Sequence, residues 1–210
     1  MKNLIIIGAG GMGREIYNLA TFCKGFNKEF IIKGFIDDSL SSLEEFKGYP
    51  PVISKINEYE IEANDVFVCS VGDVLRKKKF TQPILDKGGE FISLIHPYAF
   101  ISNNVKIGVG CIVLQNATIG ADVKIGDHVL VQISTIIGHD SIIGDFSRID
   151  CFAVCVGGVV IEEQVTIHTS AILNHNIKVG KKSIVGAGSF VIRKVKENTT
   201  VFGNPAVRLK

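Results

Sequence analysis

No strong charge bias marks this chain. Its 23 Lys and Arg residues against 21 Asp and Glu leave a formal charge of +2. That balance gives no support to a nucleic-acid or membrane partner, both of which are drawn by concentrated basic surface. The one basic run, RKKK at Arg76 to Lys79, reads as a solvated helix face. No apolar stretch approaches the roughly 20 residues that cross a bilayer. The opening MKNLIIIGAG is too short for that and lacks the small-residue cleavage pattern of a secretion signal. The five cysteines (Cys23, Cys69, Cys111, Cys151, Cys155) form no CxxC, which argues against a zinc or disulfide framework. They are expected to be free thiols in a reducing cytoplasm. What remains, 46% hydrophobic and 21% charged residues, suits one or two globular domains.

The first ninety or so residues alternate strand and helix signals. NLIIIG, FIIKGFIDD and DVFVCSVGD read as buried strands, GREIYNLATFCKG and VLRKKKFTQPILDKGG as helices, and EFISLI closes the unit. This order predicts a small parallel sheet with helices on its faces, a Rossmann-like α/β domain over 1–92. The long connection SLSSLEEFKGYPPVISKINEYEIEAN is expected to hold an irregular or short helical crossing.

From Ile95 the period changes to six. Positions 95, 101, 107 and onward to 191 are all aliphatic or Cys, without one polar member or register shift. Small or β-branched residues follow four places later, as at Ala117, Val123, Thr135, Ser141 and Ala153. Neither a helix nor an ordinary sheet generates a period of six; a parallel β-helix does. Each hexad forms one face of a triangular prism, three make a coil, and coils stack at about 4.8 Å. The β-helix is assigned to 93–192, at about five coils, with a C-terminal tail at 193–210.

The repeat explains one anomaly, the pair His139-Asp140 in IGHDSI. Ile137 points inward, so His139 occupies an outward position beside a corner. Acyl transfer to an amine or hydroxyl needs a base for the attacking group's proton, and imidazole titrates near neutral pH. Asp140 can fix the tautomer and steady the imidazolium. The alternative is a histidine that merely sits in a loop. His175 shares the hexad position of His139 and is the second candidate base, while His168 can line a groove. His96 is expected to support the domain junction and His128 to face solvent. Near the N-terminus, Gly8-x-Gly10-x-x-Gly13 follows a strand and opens a helix, where glycines let a phosphate approach the backbone. Asp37, after the second strand, stands where an acid often meets a ribose. Fewer than a hundred residues precede the prism, so a nucleotide-sugar diphosphate fits this turn better than a dinucleotide.

IGAGGMGREI, GFIDD, VGDVLRKK, FISLIHPYAFIS, the unbroken hexads and the final VFGNPA together resemble the bacterial hexapeptide-repeat sugar acyltransferases. Within these the chain is similar to the sialic acid O-acetyltransferase type, which includes N-acetyltransferases of nucleotide-linked 4-amino-4,6-dideoxy sugars. The resemblance implies a left-handed parallel β-helix, a homotrimer, and acetyl-CoA as acyl-donor cosubstrate in the groove between prisms, with no metal required. It implies His139 as general base, and a nucleotide-sugar against Gly8, Gly10, Gly11, Met12, Asp37, Asp38, Gly72 and Asp73. Gly157, Thr169 and Ala187 align with positions that line the coenzyme groove, and GNPA (Gly203, Asn204, Pro205, Ala206) with a motif near the adenine. Two positions depart from the amino-sugar pattern: Arg148 replaces a second His, and Gln132 replaces an Asn. Arg148 can grip a carboxylate or phosphate but cannot act as acid or base near neutrality, which puts the acceptor in question. The expected function is therefore a cytoplasmic acetyl-CoA-dependent enzyme that acetylates an amino or hydroxyl group of a nucleotide-activated sugar for glycan or surface polysaccharide synthesis. O-acetylation of sialic acid or another sugar acid, a non-catalytic nucleotide-sugar-binding trimer, and an NAD-dependent enzyme are the competing readings.

Overall fold

Leu4 to Ile7 are wholly buried, and a strand with no polar face belongs in the middle of a sheet. The computed structural model, which describes residues 1–209, places it there. The elements of the first compact unit, Met1–Pro97, are β1 (Lys2–Ile7), α1 (Gly11–Phe22), β2 (Phe30–Ile36), β3 (Val52–Ser54), β4 (Asp65–Cys69), α2 (Val74–Asp86) and β5 (Glu90–Phe91). The sheet is parallel throughout, in the order β3-β2-β1-β4-β5. Strand order reverses at β1, so the crevice beyond the carboxyl ends of β1 and β4 is the place where such sheets take ligands.

Two sequence expectations are corrected here. The long connection carries the edge strand β3, which pairs with β2. Three residues after a Pro-Pro pair are too few to show any period. The RKKK run is not uniformly solvated, because Lys77 is only 1% exposed. Helical spacing puts position 77 on the face of Val74, Thr81 and Ile84, all buried in α2.

The second unit, beginning at Tyr98, is the expected three-sided parallel β-helix. Two-residue rungs recur every six residues. One face carries six rungs, from Phe100–Ile101 to Phe190–Val191, and a second carries five, from Lys106–Ile107 to Lys178–Val179. The aliphatic series points inward and is buried from Val113 to Val191. The small residues between its members, including Ala117, Thr135, Ser141 and Ser147, are fully buried as well. Their hydroxyls are satisfied by backbone: Thr135 Oγ1 donates to the Asp150 carbonyl at 3.0 Å and Ser147 Oγ to that of Glu162 at 2.9 Å. The column is taller than the five coils expected. Residues 193–199 break the hexad spacing, after which Thr200–Gly203 adds a further parallel rung and Ala206–Arg208 folds back antiparallel on it.

Corners explain how a flat face becomes a prism. From Asn104 to Gly188, every sixth residue has φ between +55° and +72°, and most of these are not glycine. Asn and Asp tolerate this left-handed region best, and Asn104, Asn116, Asp122, Asp140 and Asn176 occupy it. All five cysteines are unpaired, and Cys69, Cys111 and Cys155 are buried in the two cores. Burial pushes the Cys155 thiol up to about 12, so it behaves as an apolar core residue.

The N-terminal unit also buries a charge. Asp65, whose side chain is inaccessible, accepts hydrogen bonds from Tyr59 Oη at 2.7 Å, the Glu62 amide at 2.8 Å and Lys33 Nζ at 3.1 Å. Burial acts to raise the Asp65 pKa, but these donors outweigh it and hold the carboxyl below the ordinary carboxylate range. Asp65→Ala is expected to cost about 2–3 kcal/mol, because it takes the acceptor from the Tyr59 hydroxyl and the Glu62 amide, while Lys33 keeps Glu62 at 2.8 Å. Since the folded pKa is depressed, the wild-type contribution is present above the unfolded value near ~4 and is lost as pH falls through the folded value. Urea unfolding of the wild type below pH 4 should therefore converge on that of the variant.

Candidate active site

His139 follows the rung Ile136–Ile137 and immediately precedes the left-handed corner residue Asp140, φ +59°. That corner aims the carboxylate back at the ring: His139 Nδ1 lies 2.7 Å from Asp140 Oδ2, with both side chains 66% exposed. In the neutral imidazole this contact places the proton on Nδ1 and leaves the Nε2 lone pair as the acceptor. Coils on both sides fix the backbone. Asp140 N–H donates to the Ala121 carbonyl at 3.0 Å, and the His139 carbonyl accepts from Gly158 N–H at 2.8 Å. The ring lies across Gly157 of the next coil, where an added Cβ would stand 2.6 Å from both Cε1 and Nε2. Gly157, expected in the coenzyme groove, is thus first of all the floor beneath the imidazole. His175, two coils on in the same hexad position, is exposed, and its own amide donates to Asn174 Oδ1 rather than to a carboxylate pair.

The next corner stack collects different chemistry. Gln132, Asp150 and His168 occupy equivalent positions in successive coils. Asp150, 4% exposed, accepts from Gln132 Nε2 at 2.7 Å, His168 Nδ1 at 3.1 Å and Arg148 Nη2 at 3.0 Å, with Arg148 Nε on its other oxygen. The Arg148 guanidinium is therefore held bidentately by a neighbour two residues away. Thr169 and Ala187 are exposed on the adjoining corner. Gly203, φ +106°, donates its amide to Ser189 Oγ at 3.1 Å, and the Asn204-Pro205 bond that follows is cis. His128 departs from expectation: it is 3% exposed and stacks on Phe146 at 4.7 Å, because its own left-handed corner folds the ring along the column. His96 packs near Phe22, 5.8 Å between centroids, and burial lowers its pKa.

In the N-terminal unit, parallel strands bring Gly8, Asp37 and Gly72 to one edge of the sheet. Gly8 (φ +98°) makes the turn, and a Cβ on Gly13 would lie 2.3 Å from the Gly8 carbonyl oxygen, so the third glycine allows α1 to seat against β1. Gly10 is the N-cap of α1 and offers no side-chain hydrogen bond, and no acid occupies the first turn. The amides of Gly11 and Met12 thus open a helix whose positive end carries no anion of its own. The second helix differs, because Asp73 Oδ1 already caps it by accepting from Arg76 N–H at 2.7 Å. Asp37 is engaged too: its oxygens accept from Ala9 N–H at 2.8 Å and Ser39 N–H at 2.9 Å. Asp38 is left exposed. Two residues were missed by the motif. Ser70, 2% exposed, bonds the carbonyls of Ile7 and Gly8 at 2.9 Å, and Arg14 stacks on Phe46 with its guanidinium 3.6 Å from the ring centroid. An arginine four residues past Gly10, in the helix's first turn, was a signal available in the sequence. Among the described residues no group of three or more His, Cys, Asp or Glu is arranged to hold a metal ion, and no helix is long and apolar enough to cross a membrane.

Gly157→Ala should displace the imidazole without unfolding the column. The expected result is a shifted His139 ring-proton resonance at an essentially unchanged thermal midpoint. An unmoved resonance would mean that the ring does not rest on Gly157.

Comparison with known proteins follows the same division. The PglD N-terminal domain model matches residues 3–84 and the GMPPB C-terminal domain model residues 91–179. UDP-N-acetylbacillosamine N-acetyltransferase of Bacillus subtilis (strain 168) is 30% identical over 118 residues, which are 54% of this chain and 52% of that protein. The chain thus spans about half the length of that relative. GDP-perosamine N-acetyltransferase of Escherichia coli O157:H7 is 28% identical over 224 aligned positions, covering 98% of this chain and 95% of its own. The acetyltransferase domain of PglB from Neisseria gonorrhoeae FA1090, solved in complex with acetyl coenzyme A, superposes with a TM-score of 0.88 at 29% identity over 99% of both chains. A PglD-type sheet followed by a hexad column is thus matched from end to end by such relatives, and in both of its units the chain is similar to hexapeptide-repeat acetyltransferases.

Proposed function

We propose that the protein transfers an acetyl group from acetyl-CoA to an amino group of a nucleotide-activated sugar, with His139 as general base. The observation that carries this reading is the His139–Asp140 pair on an outward corner, its Nε2 unencumbered and its ring bedded on Gly157. The amine attacks the thioester carbonyl carbon while Nε2 takes the amine proton, and Asp140 steadies the resulting imidazolium. The tetrahedral intermediate collapses to the amide, the carbon–sulfur bond breaks, and the departing coenzyme thiolate recovers the proton from His139. No acyl-enzyme is required. The open N-terminus of α1, at Gly10 to Met12, suits the nucleotide's phosphates. Coenzyme binding is assigned to the exposed edge that includes Gly157, Thr169 and Ala187, with Gly203 and Pro205 near its adenine end. Two of the relatives matched by sequence are N-acetyltransferases, and they align over longer stretches than the galactoside O-acetyltransferase of Lactococcus lactis, matched over 49 residues. The bidentate Arg148–Asp150 pair favours a neutral amino sugar over a sugar acid, because the guanidinium already has its carboxylate. The cosubstrates and the unpaired cysteines suit a cytoplasmic enzyme.

The working form is proposed to be a homotrimer. Along the face that leads into His139, the outward residues Phe100, Ile136 and Ile172 are 63%, 45% and 40% exposed, with Val154 and Phe190 between and beyond them and Thr118 the one polar member of the row. An apolar ladder of this length on a soluble column calls for a partner surface, and a second copy of the chain supplies one.

His139→Ala is expected to lower kcat by about 10²–10⁴-fold, followed as thiol release from acetyl-CoA with nucleotide-linked amino sugars. Unchanged turnover would instead favour a non-catalytic nucleotide-sugar-binding protein. Ile136→Glu with Ile172→Glu should convert trimer to monomer in sedimentation velocity and abolish activity with it.

A further inference from the structure

The column ends on an uneven coil. Val191, Val195 and Val201 are the last inward residues of its three faces, paired with Leu173, Val179 and Val185 of the coil before. All three line one hollow of about 350 Å³, whose wall is completed by Ala206 and Val207 of the returning strand. A hollow floored by one core residue from each face lies across the end of the prism, not in a groove along its side.

The rim of this hollow is cationic. Arg193, Lys194, Lys196 and Arg208 line it too, and all four are exposed. None is engaged in an ion pair or side-chain hydrogen bond with another described residue. The only acid within 191–209 is Glu197, which already stands 3.6 Å from Lys181 of the preceding coil. That coil shows what the fold does where a cation is merely structural, since its Lys178 is paired with Glu162 at 2.6 Å. The near-neutral sum of the whole chain thus conceals a local concentration of one sign. Aliphatic tips are interleaved with these charges: Ile192, Val207 and Leu209 are 43%, 61% and 64% exposed.

Apolar tips among unpaired cations on a blunt end match the headgroup layer of an anionic bilayer, where both contributions add. An acidic protein fits less well. Lysine is depleted from protein interfaces, and its flexible, strongly hydrated ammonium suits headgroups that move. We propose that the last coil of the column is a peripheral docking surface for a membrane that bears anionic phospholipids. Ile192, Val207 and Leu209 enter the headgroup layer, while Arg193, Lys194, Lys196 and Arg208 hold its phosphates. Side-by-side columns related by cyclic symmetry point their last coils the same way. The trimer proposed above therefore presents three such surfaces to one plane and gains by multivalency.

Co-sedimentation of the full chain with vesicles tests this. Vesicles of equal parts phosphatidylglycerol and phosphatidylcholine are expected to retain the wild type and to release it at raised ionic strength. Vesicles of phosphatidylcholine alone should not retain it. The combined variant Arg193→Gln, Lys194→Gln, Lys196→Gln should lower the partition coefficient about ten-fold or more, and Val207→Ser with Leu209→Ser should lower it as well. Thermal midpoints and coenzyme A affinity should stay level, because every substituted side chain is exposed and outside the acetyl-transfer site. A wild type indifferent to phosphatidylglycerol, or a charge variant that binds the vesicles as tightly as the wild type, would overturn the proposal. So would lost coenzyme A affinity in the charge variant when the wild type ignores the vesicles, which would give these cations to the donor's phosphates. Preference for polyglutamate over the anionic vesicles would overturn it in favour of an acidic protein surface.

Discussion

The left-handed corner, repeated every six residues, is the constraint on which the column depends. Each such corner places a residue in a region that side chains other than Gly, Asn and Asp adopt at a cost of roughly 1 kcal/mol. Phe146, Phe152, Gln164 and Lys182 accept that cost as well. It is offset by the inward ladder, whose aliphatic members from Val113 to Val191 are buried one above another. Because corner and ladder share a period, neither can slip without the other. The outward positions are therefore fixed to within the geometry of a sheet.

That rigidity turns sequence spacing of eighteen into spatial adjacency. Positions 139, 157 and 175 form one stack, and 132, 150 and 168 another. The first exposes an imidazole on a glycine floor. The second buries a carboxylate and surrounds it with Gln132, Arg148 and His168. Burial decides the difference: Asp150 is 4% exposed and must satisfy its charge internally, whereas Asp140 is 66% exposed and has one partner, the ring. The same corner geometry thus yields a structural network in one place and a candidate base in the other.

The N-terminal unit follows a comparable logic with a different element. Of the two helices that leave the carboxyl edge of its sheet, one is capped by its own aspartate and the other begins on glycine with no cap. An uncapped helix N-terminus at a strand-order reversal has the polarity that suits an anion, which is why the nucleotide's phosphates are proposed to lie there. Asp37, by holding the Ala9 and Ser39 amides, shapes the loops that frame it.

The sequence by itself determined the fold class and the placement of His139. A period of six has one structural solution, and that solution assigns inside and outside to every hexad position without reference to the rest of the chain. It also displayed the glycine turn between β1 and α1, since the residues that make such a turn are contiguous in the chain. The edge strand β3 and the burial of Lys77 and His128 were decided by tertiary structure, because each depends on which neighbour lies one coil or one strand away. Arg148 shows the limit most plainly. Read along the chain it is a free cation able to grip a substrate, and only the folded column reveals that a buried carboxylate two residues on has already taken both arms of its guanidinium.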